Sequence, residues 1–69
     1  MIDLTEKGKK MALADRLDCL GDTMTMIADE MQLRYPAPHC ANDRAKEMHG
    51  AAVMAHDWAQ NIREDAKEG

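Results

Sequence analysis

The sequence predicts an all-α fold, an antiparallel helical hairpin with a helix over about residues 3–34, a turn over 35–41 and a second helix over about 42–65. Three observations predict it. Apolar residues recur in alternating steps of three and four along both halves, the spacing that keeps them on one face of a helix. The one sharp break is Tyr35-Pro36-Ala37-Pro38, where each proline disfavours helical backbone in the residue before it. Phenylalanine is absent and Tyr35 and Trp58 are the only aromatic rings besides the histidines, so the core must be built from leucine, methionine, alanine and isoleucine.

The first helix is expected to start at Asp3, which with Glu6 three residues later makes a capping-box pattern. Gly8 and Gly21 each cost a helix about 1 kcal/mol. Arg34 suits the last turn, where the helix dipole is negative. Leu13, Leu17, Leu20, Met24, Ile27 and Met31 form an unbroken seam along this helix. The second helix starts between Pro38 and Asp43, with Pro38 as its first residue or Asn42 as its cap. Its seam is Ala45, Met48, Ala52, Ala55, Ala59, Ile62 and Ala66. The expectation is that the large residues of the Leu13 seam close on these alanines at a shallow crossing angle.

A further stripe sets this chain apart from a self-contained hairpin. Ala12, Cys19, Met26 and Leu33 recur every seven residues, roughly opposite the Leu13 seam. On the second helix Ala51, Met54 and Trp58 widen the apolar face. One hairpin cannot bury both sides of its first helix, and a single domain of 69 residues has a marginal core without metal, disulfides or association. The sequence therefore predicts a homo-oligomer, a dimer or higher, with a dimeric four-helix bundle as the simplest form.

Charge and composition narrow the functional classes. The net charge of −4 argues against general nucleic-acid binding, and two aromatic residues make no stacking platform for single strands. No apolar run approaches membrane-spanning length, and no apolar leader segment follows Lys7, Lys9 and Lys10. Cys19 and Cys40 are expected roughly 22 Å apart along the hairpin, beyond disulfide reach; two free thiols fit a reducing, cytoplasmic setting.

No catalytic, metal or cofactor motif emerges. His49 and His56 sit seven apart rather than the four that lets two ligands share an ion, and their expected role is interfacial hydrogen bonding. His39-Cys40 lacks the second pair that a zinc site needs. Cys19 and His56 are candidate neighbours across the hairpin, but no oxyanion element accompanies them, and Cys19 is expected to be buried and inert. The basic residues form two groups: Lys7, Lys9, Lys10 and Arg63 at the open end, and Arg34, Arg44 and Lys46 at the turn end. In an antiparallel pair of hairpins these groups would meet and offer a site for a phosphate-bearing ligand or an acidic partner. The alternative is ordinary solvated cations beside acids such as Glu6, Asp43 and Glu64.

Two resemblances add expectations. In plan the chain resembles the small repressor-of-primer type RNA-binding hairpin dimers. Pro38, Arg44, Met54 and the Trp58-Ala59-Gln60 run also fall in an order similar to that of phage-encoded hairpin sponges, which sequester cyclic-oligonucleotide signals in anti-CBASS and anti-Thoeris defence. That resemblance implies a hexameric bundle, a cyclic nucleotide as ligand, and Arg44 and Lys46 as phosphate contacts. The leading expectation is a non-catalytic oligomeric binding protein of phage or mobile-element type. It would act in the host cytoplasm as an inhibitor or adaptor of a host protein, through the Cys19, Met26 and Leu33 stripe or the Met54 and Trp58 edge. The cyclic-oligonucleotide sponge is the second expectation and an RNA-binding regulator the third.

Overall fold

The computed structural model describes residues 5–68. Helix α1 spans Glu6–Arg34 and helix α2 spans Cys40–Glu68, each of 29 residues; the described residues hold no strand. The two lie antiparallel as a single layer, with Cα extents of 48 × 23 × 10 Å.

The helix ends differ from expectation. Asp3 lies outside the described residues. The cap of α1 falls on Thr5, whose extended backbone turns into the helix and whose hydroxyl accepts a hydrogen bond from the Gly8 amide at 3.0 Å. At the other end the Tyr35 amide donates to the Met31 carbonyl at 2.8 Å, and the prolines stop the helix where the sequence predicts. Helix α2 starts at Cys40, inside the expected window of Pro38 to Asp43 though two residues ahead of position 42, with neither Pro38 as its first residue nor Asn42 as its cap. His39 caps it: its Nδ1 accepts from the Ala41 amide at 3.0 Å and its carbonyl from the Asn42 amide at 3.0 Å. The Tyr35 ring lies against the His39 ring, centroids 4.7 Å apart. Asn42 is inside the helix and buried, and α2 runs on to Glu68, beyond the predicted end at 65.

The seam between the helices is made of small residues. On α2 it is as predicted, with Ala45, Ala52, Ala55, Ala59 and Ala66 buried and Met48 and Ile62 half-buried. On α1 the expectation is corrected. The residues buried against α2 are Ala14, Gly21 and Ala28, one every seven residues, facing an alanine every seven on α2. The expected seam residues Leu13 and Leu20 stay 50% exposed and Ile27 stays 44% exposed. The reason is steric. Alanines present almost no side chain to fill a gap, so the partner helix brings its own smallest residues to the line of closest approach and turns its large ones outward. A Cβ added at Gly21 would stand 3.1 Å from the Ala52 carbonyl oxygen, closer than nearly all real contacts of that kind.

Candidate functional site

The alanine seam divides the hairpin into two edges of opposite character. Along one edge run Asp18, Thr25 and Gln32 of α1 and Asn42, His49, His56 and Arg63 of α2, with Asp15, Asp22 and Asp29 just outside them. The two histidines, Arg63 and the aspartates make a ladder across the helices. His49 Nε2 lies 3.1 Å from Asp29 Oδ1. His56 bridges two carboxylates, Nδ1 to Asp18 Oδ1 at 2.8 Å and Nε2 to Asp22 Oδ1 at 3.3 Å. Arg63 pairs with Asp15 at 2.8 Å and also with Asp18. His49, His56 and Arg63, one every seven residues on α2, face aspartates on α1 and fix the register of the hairpin as the apolar seam alone cannot. The interfacial role expected of the two histidines is therefore filled within one chain.

The ladder predicts how stability follows pH. Hydrogen bonding to Asp18 and the charge of Asp22 raise the His56 pKa above its ordinary 6.5. Hydrogen bonds from His56 and Arg63 lower that of Asp18 below 3.8. A raised histidine pKa stabilises the fold fully below 6.5 and ceases to as pH climbs through the folded value; a lowered carboxyl pKa stabilises above 3.8 and ceases to as pH falls through the folded value. Denaturant unfolding should therefore show greatest stability between about pH 4 and pH 6.5 and a decline from there toward pH 8. His56→Gln should remove part of that decline; an identical slope in the variant would refute the assignment.

The other edge is apolar. Leu17, Met24 and Met31 of α1 and Met48, Ala55 and Ile62 of α2 line the seam. Outside them stand Leu13, Leu20 and Ile27 on one helix and Ala51 and Trp58 on the other, with Met54 beyond. None of the large residues is fully buried. From the level of Leu13 to that of Met31 this face runs roughly 27 Å. Lys10 closes its open end with a 2.6 Å pair to Asp65.

The stripe of Cys19, Met26 and Leu33 runs along the outer side of α1. Met26 is 71% and Leu33 82% exposed. Cys19 is exposed as well, not buried as expected, and His56 turns to Asp18 and Asp22 instead of to it. Cys40 is exposed beside the turn.

The two expected basic groups are broken up by local pairing. Lys9 pairs with Glu6 at 3.6 Å, Arg34 with Glu30 at 2.9 Å, Arg44 with Glu47 at 3.0 Å and Lys46 with Asp43 at 3.8 Å. Lys10 and Arg63 lie on opposite edges of the seam, engaged with Asp65 and with Asp15 and Asp18. Lys7 makes no ion pair among the described residues, and it stands apart from the others. Among the described residues no three histidine, cysteine or acidic side chains gather to hold a metal, and no helix is long and apolar enough to cross a membrane.

What sequence reasoning missed was the polar ladder. Its signal was present as a second heptad, Asn42, His49, His56 and Arg63, beside the alanine heptad. Compared with protein-family models, with curated proteins and with solved structures, the chain matches none.

Proposed function

We propose that this chain is a non-catalytic binding protein that works as an assembled helical bundle, an inhibitor or adaptor of the size and plan carried by mobile elements. Its apolar edge is the binding face. One observation carries the reading: the large apolar residues, from Leu13 to Met31 and from Met48 to Ile62, form one continuous face on a hairpin whose interior is alanine. Fully burying each such side chain contributes about 1.5–3 kcal/mol relative to leaving it in water, and the isolated hairpin forgoes much of that. Exposed apolar faces of this extent on small chains mark interaction surfaces. The histidines support a binder over a catalyst, because His49 and His56 are engaged with the aspartates that hold the hairpin together.

Trp58 reports on the face directly. It is the sole tryptophan and is 51% exposed in the hairpin. Its emission should shift to longer wavelength, and acrylamide quenching should rise, as the protein is diluted from roughly 100 μM, a regime in which micromolar association is nearly complete, into the nanomolar range. Emission and quenching of a fully solvated indole at every concentration would overturn the reading.

A further inference from the structure

The apolar edge carries a rim of polar residues whose order matters. On α1 the rim row is Lys9, Arg16, Thr23 and Glu30, one every seven residues: basic toward the open end, acidic toward the turn, neutral at Thr23. On α2 the row just inside the rim is Arg44, Ala51, Trp58 and Asp65, also one every seven: basic toward the turn, acidic toward the open end, with a small residue followed by a large one between. The pairs of Asp22 with His56 and Asp29 with His49 set the relative height of the two helices. In that register Thr23 of α1 lies level with the Met54 turn of α2, so both charge patterns reverse about the same height.

We propose that the occupant of the apolar face is a second copy of this chain, packed antiparallel, with a two-fold axis crossing the hairpin at the level of Thr23 and Met54. This deepens the binding reading above and rests on it. About that axis α1 runs along the partner's α1 and α2 along the partner's α2. Arg16, which makes no ion pair among the described residues of its own chain, meets the partner's Glu30. Arg44 meets the partner's Asp65; within each chain Glu30, Arg44 and Asp65 also pair with Arg34, Glu47 and Lys10. Leu20 meets the partner's Ile27, and Trp58 lies over the small side chain of the partner's Ala51. Every contact occurs twice, as an isologous interface requires.

The competing arrangement, with both turns at the same end, lays α1 over the partner's α2. It puts Arg34 beside the partner's Arg44 and Glu30 beside the partner's Glu47. Like charges at the flanks of a helical seam select against a pairing, and opposite charges select for it.

The hairpin is more open than a closed domain of its size. The hairpin exposes 5254 Å², about 900 Å² more than the roughly 4,300 Å² expected of a compact monomer of its 7.7 kDa mass. A single layer of two helices also lacks the second layer that encloses a domain core, and a second copy supplies it.

Two measurements test the geometry. The first is the distance between spin labels on native Cys40 in the Cys19→Ser protein. The antiparallel dimer places the two labels at opposite ends, with backbones roughly 40 Å apart; a separation under about 25 Å, set by the width of a bundle two helices across, would overturn it. The second is a charge exchange read by sedimentation. Arg16→Glu and Glu30→Arg should each raise the dimer dissociation constant about tenfold, and the double variant should restore it to within about threefold, the behaviour of a directly coupled pair. Additive losses in the double variant would overturn the pairing. A protein that assembles, and loses assembly on substitution within the apolar face, but gives the short label distance would refute this register while leaving the binding face intact. A protein that remains monomeric while Trp58 is shielded by another partner would refute the second copy alone.

Discussion

Leu20→Glu should dissociate the assembly. Leu20 sits near the middle of the apolar face, half-exposed in the hairpin, and in a two-fold dimer the substitution acts twice. Each copy loses about 1.5 kcal/mol or more of leucine burial, and each places a carboxylate where water is excluded. The sum exceeds about 3 kcal/mol, which corresponds to more than a hundredfold in the dissociation constant. Sedimentation should show the variant at the mass of one chain over concentrations where the wild type is associated. Its helical content should fall as well, because the hairpin alone has only an alanine interior and a chain this short is marginal on its own. Leu33→Glu is the control, since Leu33 is 82% exposed on the outer stripe, and it should leave the mass unchanged. The reverse result, association lost with Leu33→Glu and kept with Leu20→Glu, would move the interface to the Cys19, Met26 and Leu33 stripe.

The contrast between these two leucines marks where the sequence was legible. Both belong to apolar stripes on α1, and periodicity alone gave the Leu13 seam the hairpin contact because its three-four spacing is unbroken. The hairpin, two helices, the turn at Tyr35-Pro36-Ala37-Pro38 and the α2 seam were all readable, because prolines and three-four spacing act locally. Which face of α1 meets α2 was not, because it depends on the partner. Against a helix of alanines the tightest fit comes from Ala14, Gly21 and Ala28, residues with little weight on any hydrophobic scale. Gly21 counted as a helix cost in the sequence, and in the fold it is the point of closest approach.

The pairing of charges followed the same rule. Arg34 with Glu30, Arg44 with Glu47 and Lys46 with Asp43 are local pairs of spacing three or four, readable on any helix. Arg63 with Asp15 and Asp18, and His56 with Asp18 and Asp22, needed the register across the turn. That register is pinned by His49, His56 and Arg63 against the aspartates of α1, a pattern visible only once the small residues beside them were treated as the seam. The exposed local pairs contribute little stability individually. The ladder on the polar edge matters more, since it holds in place the two helices whose other edge is left open.

Gly21→Leu should abolish cooperative folding of the hairpin. The Cβ alone would stand 2.7 Å from His56 Nε2, 2.9 Å from its Cδ2 and 3.1 Å from the Ala52 carbonyl oxygen. The ring can yield only by leaving Asp18 or Asp22, and the carbonyl belongs to the α2 backbone and can yield only if the helix shifts. Three further carbons then enter a seam whose neighbours, Ala14, Ala28, Ala52, Ala55 and Ala59, are already buried. The helices must part, and contacts along the whole seam weaken together. Overpacking typically costs about 1–3 kcal/mol and occasionally more; at this backbone contact it falls at the upper end, a large share of the roughly 5–15 kcal/mol typical of a small protein. Gly21→Ala should also destabilise, by less, because its gain of about 1 kcal/mol in helix propensity opposes the same displacement of His56. Gly50→Ala is the matched control. Nothing lies within 4 Å of its added Cβ, so it should stabilise by about that propensity gain. Thermal melts followed by circular dichroism at one fixed concentration would rank the four proteins: Gly50→Ala highest, then wild type, then Gly21→Ala, with Gly21→Leu lacking a cooperative transition. A cooperative melt of Gly21→Leu at the wild-type temperature would mean that the helices do not meet at Gly21, and the alanine seam would have to be redrawn.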